Sequence, residues 1–339
     1  MNYGIFTIDT EAHKGINPVN QYIWGNTYDG GSYGIDYIMD FCESYGAKGL
    51  FFVDIAEAWD YGDDTLKKII THIKDRGHDL GVHIHPDHMA DPKRKFLHQY
   101  DDEEQFKIIS DCTKKFEELA EYAPVSFRAG KYSANRKTLD ILNQLGYKYD
   151  FSEFYGQKWC GIKPPVTADL PCKYKNLIEI PVTSFRVIKL GKHRKYDKLD
   201  LEMVPFIFKQ IVKRIAKHDN YVSSLFLHSF SFVTREDINK TKRNLRNIKK
   251  AKSSMRTFCD AGMKPISIKE LECLIKDNSI ILQDNPEETT IKVINPIMSY
   301  IFLIMTSVRI WKTNRNAKLF IALNVLIFVL ILIIAICVI

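Results

Sequence analysis

Four of the chain's ten histidines fall within the twelve residues Gly77-His78-Asp79-Leu80-Gly81-Val82-His83-Ile84-His85-Pro86-Asp87-His88. From Asp79 to His85 the pattern is that of a strand, which puts His83 and His85 on one face, and Pro86 stops it. Two neutral imidazoles side by side at a strand end suit a divalent ion, because a ring nitrogen is a good ligand for zinc-like metals. A second polar pair closes the first apolar run, Gly4-Ile5-Phe6-Thr7-Ile8-Asp9-Thr10-Glu11. Asp9 and Glu11 share a face if the strand continues that far. With the two histidines they would make an Asp/Glu-His-His metal site that keeps positions open for water and substrate. Arg128, Asp150 and His228 end other short apolar runs and are the remaining polar residues placed to do chemistry.

The elements that must position these residues alternate between strand and helix. Strand-like runs are Ile5–Asp9, Gly49–Val53, Asp79–His85, Val125–Arg128, Tyr147–Phe151, Ile178–Val182, Val222–Leu227 and a short one around Pro265–Ile268. Helical patterns cover Ile35–Tyr45, a stretch capped by Asp63 or Asp64 and running to Lys74, Asp102–Ala120, Thr138–Leu145 and Leu201–His218. This rhythm predicts an α/β fold with a mostly parallel sheet or barrel, whose chemistry sits at the carboxyl ends of the strands. The loop from Glu11 to Gly34 carries Trp24, Tyr28 and Tyr33, aromatics that could stack on a ligand ring or pack locally. Ser229 and Ser231 flank the His228 region, but the chain has no Gly-x-Ser-x-Gly elbow, which excludes a serine nucleophile of that kind.

Several of these stretches together resemble the NodB-homology polysaccharide deacetylases, carbohydrate esterase family 4. The resemblance lies in an acidic motif ending the first strand (Thr7-Ile8-Asp9-Thr10-Glu11) and in Gly77-His78-Asp79-Leu80-Gly81-Val82-His83. It continues in Phe127-Arg128-Ala129-Gly130-Lys131-Tyr132 ahead of Leu139 to Tyr147, and in Phe226-Leu227-His228. Gly46 to Val53 and Pro265 to Leu271 resemble the family's second and closing strands, so the likeness spans roughly residues 3–276. It implies a distorted (β/α) barrel and metal-dependent removal of an acyl group from a sugar. It further implies Asp9 as catalytic base, His83 and His85 as metal ligands, Arg128 as the residue that orients the base, Tyr132 lining the oxyanion side and His228 as general acid, with Asp150 holding His228. The motifs also depart from the family. Asp9-Thr10-Glu11 replaces an adjacent Asp-Asp pair, so the third ligand is Glu11 or Asp9 itself. His83-x-His85 replaces a wider spacing, which leaves His88 in reserve as a ligand. A divalent metal, Zn2+ by its donor set, is the implied cofactor.

Charge and hydropathy add a setting. Between Lys240 and Arg256 there are eight Lys or Arg and no acid, and Ile238, Leu245, Ile248 and Met255 recur at helical spacing, so a helix with one packed and one basic face is expected there. From Phe320 to Ile339 every residue but Asn324 is apolar, long enough to span a membrane as a helix. Ile297–Val308 is a shorter apolar run, separated from it by Arg309, Lys312, Arg315 and Lys318. The seven unpatterned cysteines favour a reducing compartment, and Met1 leads directly into the first strand rather than into a leader. The expected arrangement is therefore a catalytic domain over 1–276, a linker over 277–296, an interfacial or second membrane segment over 297–319 and a transmembrane anchor over 320–339. Positive residues beside the anchor favour a cytoplasmic catalytic domain.

The reading is a tail-anchored, metal-dependent deacylase of N-acylated sugars, acting on a glycan or a polyprenyl-linked saccharide at an anionic membrane surface. No recognisable module points to nucleic acid. The alternatives are a non-catalytic, membrane-tethered glycan-binding protein on the same scaffold, or a hydrolase of another C–N bond.

Overall fold

The computed structural model describes residues 1–12, 17–167, 169–190, 193–237 and 240–282, with Ala322 and Asn324 besides. The chain divides into two units, residues 1–185 with 196–291, and residues 186–195 with 292–339. The anchor expected at 320–339, the run 297–308 and the basic cluster between them lie outside the described residues, apart from Ala322 and Asn324. No described helix is long and apolar enough to cross a membrane.

The strands are β1 (Tyr3–Thr10), β2 (Leu50–Asp54), β3 (Asp79–Ile84), β4 (Ser126–Ala129), β5 (Tyr149–Asp150), β6 (Cys172–Tyr174), β7 (Leu177–Glu179), β8 (Ser184–Leu190), β9 (His193–Lys198), β10 (Val222–His228), β11 (Val233–Asp237), β12 (Lys240–Arg243) and β13 (Lys264–Pro265). The helices are α1 (Ile35–Glu43), α2 (Ala58–Tyr61), α3 (Asp63–Asp75), α4 (Asp102–Ala120), α5 (Arg136–Gln144), α6 (Pro205–Ile215), α7 (Leu245–Asp260) and α8 (Ile268–Lys276).

One sheet runs β10-β1-β2-β3-β4-β5-β7-β6, with β13 added beside β1. All its pairings are parallel except β6 with β7. A closed barrel is not formed among the described residues. The sheet stays open from β10 to β6, a half-barrel. Helices lie between successive strands because parallel neighbours need a crossover. Capping boxes start several of them: Asp101 with Glu104 before α4, Asn135 with Thr138 before α5, Ser267 with Glu270 before α8. Tyr3, Ile5, Leu50, Phe52, Tyr149, Phe151, Ile180 and Val222 form a buried apolar cluster.

The register matters most for function. Asp9 lies opposite His228 on β10, Asp54 opposite His83 on β3, and His83 opposite Arg128 on β4. Residues in register across parallel strands point to the same face, so these side chains gather at one rim of the sheet. Two motif glycines serve the same end. A Cβ on Gly81 would sit 2.7 Å from the Phe52 ring, and Gly77 turns the chain into β3 at φ +72°.

Several expected elements differ. The basic segment is not all helix: Lys240–Arg243 is a strand, pairing antiparallel with β11, and α7 starts only at Leu245. The Asn244 side chain accepts the N–H of Asn247 and fixes that start. Ahead of it Thr241 is buried between exposed neighbours, the alternation of a strand. Likewise, α6 begins at Pro205 rather than Leu201, and Ile268 opens α8 instead of ending a strand. Asp63 is the first residue of α3 rather than its cap.

Candidate metal centre

Glu11 follows β1, His83 lies on β3, and His85 stands one residue past the end of β3. The two rings are 5.0 Å apart, and the Glu11 carboxylate reaches both: Oε2 is 2.6 Å from His85 Nε2 and 3.4 Å from His83 Nε2. One ligand atom from each residue lies within 4.8 Å of the others. His83 donates its Nδ1–H to the backbone carbonyl of Arg128 at 2.8 Å, which turns the lone pair of Nε2 toward Glu11. That Nε2 is buried and has no hydrogen-bond partner. An orphaned imidazole nitrogen beside a carboxylate and a second imidazole is the donor set of a divalent ion, so these residues fit the metal the family resemblance implies. Burial pulls His83 down, but the charges of Asp9 and Glu11 outweigh it and hold the ring up at about 8. Burial would raise Glu11; the two imidazoles hold it well below the usual carboxylate range.

Asp9 is engaged elsewhere. Arg128, fully buried, donates from Nη1 to Asp9 Oδ1 at 2.7 Å. Its Nε donates to the carbonyl of Phe151 at 3.2 Å, and its guanidinium lies 4.4 Å from the centre of the Phe52 ring. Burial favours the neutral form of Asp9, yet Arg128, His83 and His228 together lower its pKa. The geometry thus brings Glu11 to the histidine pair and leaves Asp9 ionised beside it, ready to accept a proton.

His228 faces the same space, with Nε2 3.8 Å from Glu11 Oε1 and its ring stacked 4.6 Å from Phe230. Burial and the nearby Lys198 charge push its pKa down to about 4. Ser229 and Ser231 are structural: the first hydroxyl donates to the carbonyl of Glu11, and the second accepts the N–H of His228. Tyr132 lines the cavity, and its hydroxyl accepts from Lys198 Nζ at 3.2 Å. The Lys198 ammonium also lies over the Phe226 ring, and burial lowers its pKa. Lys131 donates to His85 Nδ1 at 2.9 Å.

Asp9, Glu11, His85, Lys131, Tyr132, Lys198 and His228 line an open cavity of about 310 Å³, together with Asp54, Glu57, His88 and Lys95. Lys198, Asp54 and Glu57 are absent from the residues singled out in the sequence. Asp54 ends an apolar strand just as Asp9 does, so that signal was there to be read. Lys198, by contrast, follows no apolar run.

Two expectations change. Asp150 does not hold His228. It lies in register with Phe127, the neighbour of Arg128, and therefore on the opposite face of the sheet, where Ser152 donates to it at 2.6 Å and Glu179 adjoins it. His88 stands with Asp54 and Glu57 rather than with His83 and Glu11. Trp24 packs edge-on against His72 and Tyr33 tilts against Tyr37, the local packing of the loop aromatics.

The family model for polysaccharide deacetylase matches residues 17–149, which include His83, His85, Arg128 and Tyr132 but not Asp9, Glu11 or His228. Comparison with curated protein sequences returns no match. Among solved structures, a polysaccharide-deacetylase-like protein of Mycobacterium smegmatis superposes with a TM-score of 0.51 at 15% identity, over 85% of this chain and 94% of the other. A family 4 carbohydrate esterase of Streptomyces lividans gives 0.41 at 11% identity, over 78% and 91%. A peptidoglycan deacetylase of Bacillus subtilis gives 0.40 at 14%, over 82% and 93%. At these identities the likeness speaks to the fold, and the first carries it. The family model, matched over residues 17–149, and the fold shared with the Mycobacterium smegmatis structure are those of polysaccharide deacetylases.

Proposed function

We propose that the chain is a metal-dependent deacylase that removes an N-acyl group from a sugar within a glycan or a lipid-linked saccharide at a membrane surface. The observation that carries this reading is the convergence of Glu11, His83 and His85 beside an Asp9 held ionised by Arg128, with His228 facing them across one cavity.

A divalent ion held by Glu11, His83 and His85, zinc by the preference of two imidazoles and a carboxylate, would supply Lewis-acid polarisation of the acyl carbonyl and a more acidic water. Asp9 takes the proton of the attacking water, and Arg128 fixes the carboxylate that receives it. His228 delivers a proton to the departing amine. Because burial and Lys198 keep its ring neutral at rest, it acquires that proton within the cycle. Tyr132 and Lys198, hydrogen-bonded to each other at the cavity, would be the donors to the carbonyl oxygen. The apolar run 320–339 and the basic face of α7 favour a substrate presented at an anionic membrane, and Lys95 at the cavity suits a phosphate in its linkage.

The purified full chain, loaded with Zn2+ in mild detergent, is assayed for acetate or formate release from a panel of soluble and lipid-linked N-acylated sugars. Release that disappears in Asp9→Asn and His83→Ala supports the reading; none from any member overturns it. One observation favours a non-catalytic glycan-binding role: Lys131 donates to His85 Nδ1, which leaves the hydrogen of that ring on Nε2, toward Glu11. Ion analysis separates the two, since a binder of that kind would hold no stoichiometric metal.

A further inference from the structure

Behind the Glu11 cluster, Asp54 closes β2, Glu57 lies in the short turn after it, and His88 follows Pro86. One ligand atom from each lies within 4.8 Å of the others, and His88 Nε2 is 3.9 Å from Asp54 Oδ2. Asp54 and Glu57 are fully buried. In each, one oxygen is spent on the backbone: Asp54 Oδ1 accepts the N–H of Ala56 and of His85, and Glu57 Oε1 accepts that of Ala12. The other oxygens, Asp54 Oδ2 and Glu57 Oε2, are buried without any hydrogen-bond partner.

Two buried carboxylate oxygens left bare are costly unless something positive meets them. Among the described residues no lysine or arginine lies within ion-pairing distance of either. His88 is set up as a ligand in the manner of His83. It donates Nδ1–H to Asp60 Oδ2 at 2.5 Å, which fixes the tautomer and turns the Nε2 lone pair toward Asp54. Asp87, with a buried and unpartnered Oδ1, lines the same cavity.

We propose that Asp54, Glu57 and His88 form a second divalent-cation site, beside the one at Glu11, His83 and His85 and opening into the same cavity. Two carboxylates and one imidazole suit Zn2+ or Mn2+. The proposal accounts for the two bare oxygens, for the Asp60–His88 pair, and for a histidine that the first cluster does not use. It relies on the first cluster only for the expected total of two ions.

The test is ion content of the purified full chain in mild detergent, stripped with chelator, dialysed against Zn2+ or Mn2+ and analysed by plasma mass spectrometry. Two ions per chain are expected for the wild type, one for Asp54→Asn, one for His88→Ala and one for His83→Ala. A single ion lost in His83→Ala and kept in both His88→Ala and Asp54→Asn overturns the second site, as do two ions kept in both of these variants. A single ion kept in His83→Ala and lost in His88→Ala sustains the second site and removes the first. Because Asp54 is buried, far-ultraviolet circular dichroism checks each variant; His88, at the cavity, gives the answer if Asp54→Asn does not fold.

Discussion

Arg128 Nη1 lies 2.7 Å from Asp9 Oδ1, and the two residues come from strands that do not touch each other, β4 and β1, with β2 and β3 between them. The guanidinium crosses the inside of the half-barrel to reach the carboxylate. It passes over the Phe52 ring on the way and is anchored by the Phe151 carbonyl. The pair therefore ties the first strand to the fourth and holds the proposed base charged.

Breaking that pair from one side should cost both stability and activity. Arg128→Met keeps the volume but leaves Asp9 buried without its cation, and loss of one partner of a buried ion pair costs about 3–5 kcal/mol. Urea denaturation should show a loss of that order, and the loss should shrink when Asp9→Asn is added. Activity stays absent in both variants. An Arg128→Met protein with an unchanged midpoint would mean that the pair carries no charge in the folded state.

The Lys198 ammonium should be a chief reason that His228 is neutral. Burial is the larger cause of its low pKa and the Lys198 charge the next, so removing the charge leaves burial alone to oppose protonation. In Lys198→Met the imidazole pKa should rise from about 4 toward its ordinary value of about 6.5, read from the ring-proton shifts of His228 in a pH titration. A ring that titrates at the same pH in both proteins would show that Lys198 does not act on it.

The proposed base and the first metal ligands should separate in their effects on ion content. His83→Ala removes a nitrogen with no other partner and should strip the ion from the Glu11 cluster. Asp9→Asn should keep it while abolishing turnover, since Asp9 is held by Arg128 rather than by the histidines. Loss of the ion in Asp9→Asn would instead make Asp9 a ligand.

Much of this rim was legible because the strands are apolar and carry a polar residue at their last or last-but-one position. Asp9, His83, Arg128 and His228 all follow that rule, and parallel register then lines up their ends. Asp150 follows the rule as well and lies on the wrong face. The pleat has a period of two, so one residue of register separates the site from the opposite layer, and a β-strand of two residues offers no pattern from which to read that parity. The segment Lys240–Arg243 misled for another reason: a run of lysines and arginines says nothing of period until the cap at Asn244 shows where the helix starts. The choice between Glu11 and Asp9 depended on a partner 119 residues away, Arg128, which no local pattern contains.

His78, in the same motif as His83, should make the fold acid-sensitive without touching the cavity. Its Nδ1 accepts the N–H of Gly49 at 2.9 Å, at the entry to β2, and its Nε2 faces Glu43 at 3.2 Å. Burial, opposed by Glu43 and aided by the charges of Lys48 and Arg76, lowers its pKa to about 4. Protonating Nδ1 would also break the bond to Gly49. The unfolded chain takes up this proton near the ordinary value of about 6.5, and the folded one only near 4. Between those values the unfolded state binds more protons, so the contribution of His78 is full above about pH 6.5 and is lost as pH falls toward 4, by up to about 1.4 kcal/mol per pH unit. Gln in its place can still accept from Gly49 and donate to Glu43, but does not titrate. Urea midpoints measured at pH 7 and pH 4.5 should therefore fall more steeply for the wild type than for His78→Gln. His228, also neutral at rest, falls out of that comparison because it is common to both proteins. Equal falls in the two proteins would show that His78 takes up its proton without cost to the fold.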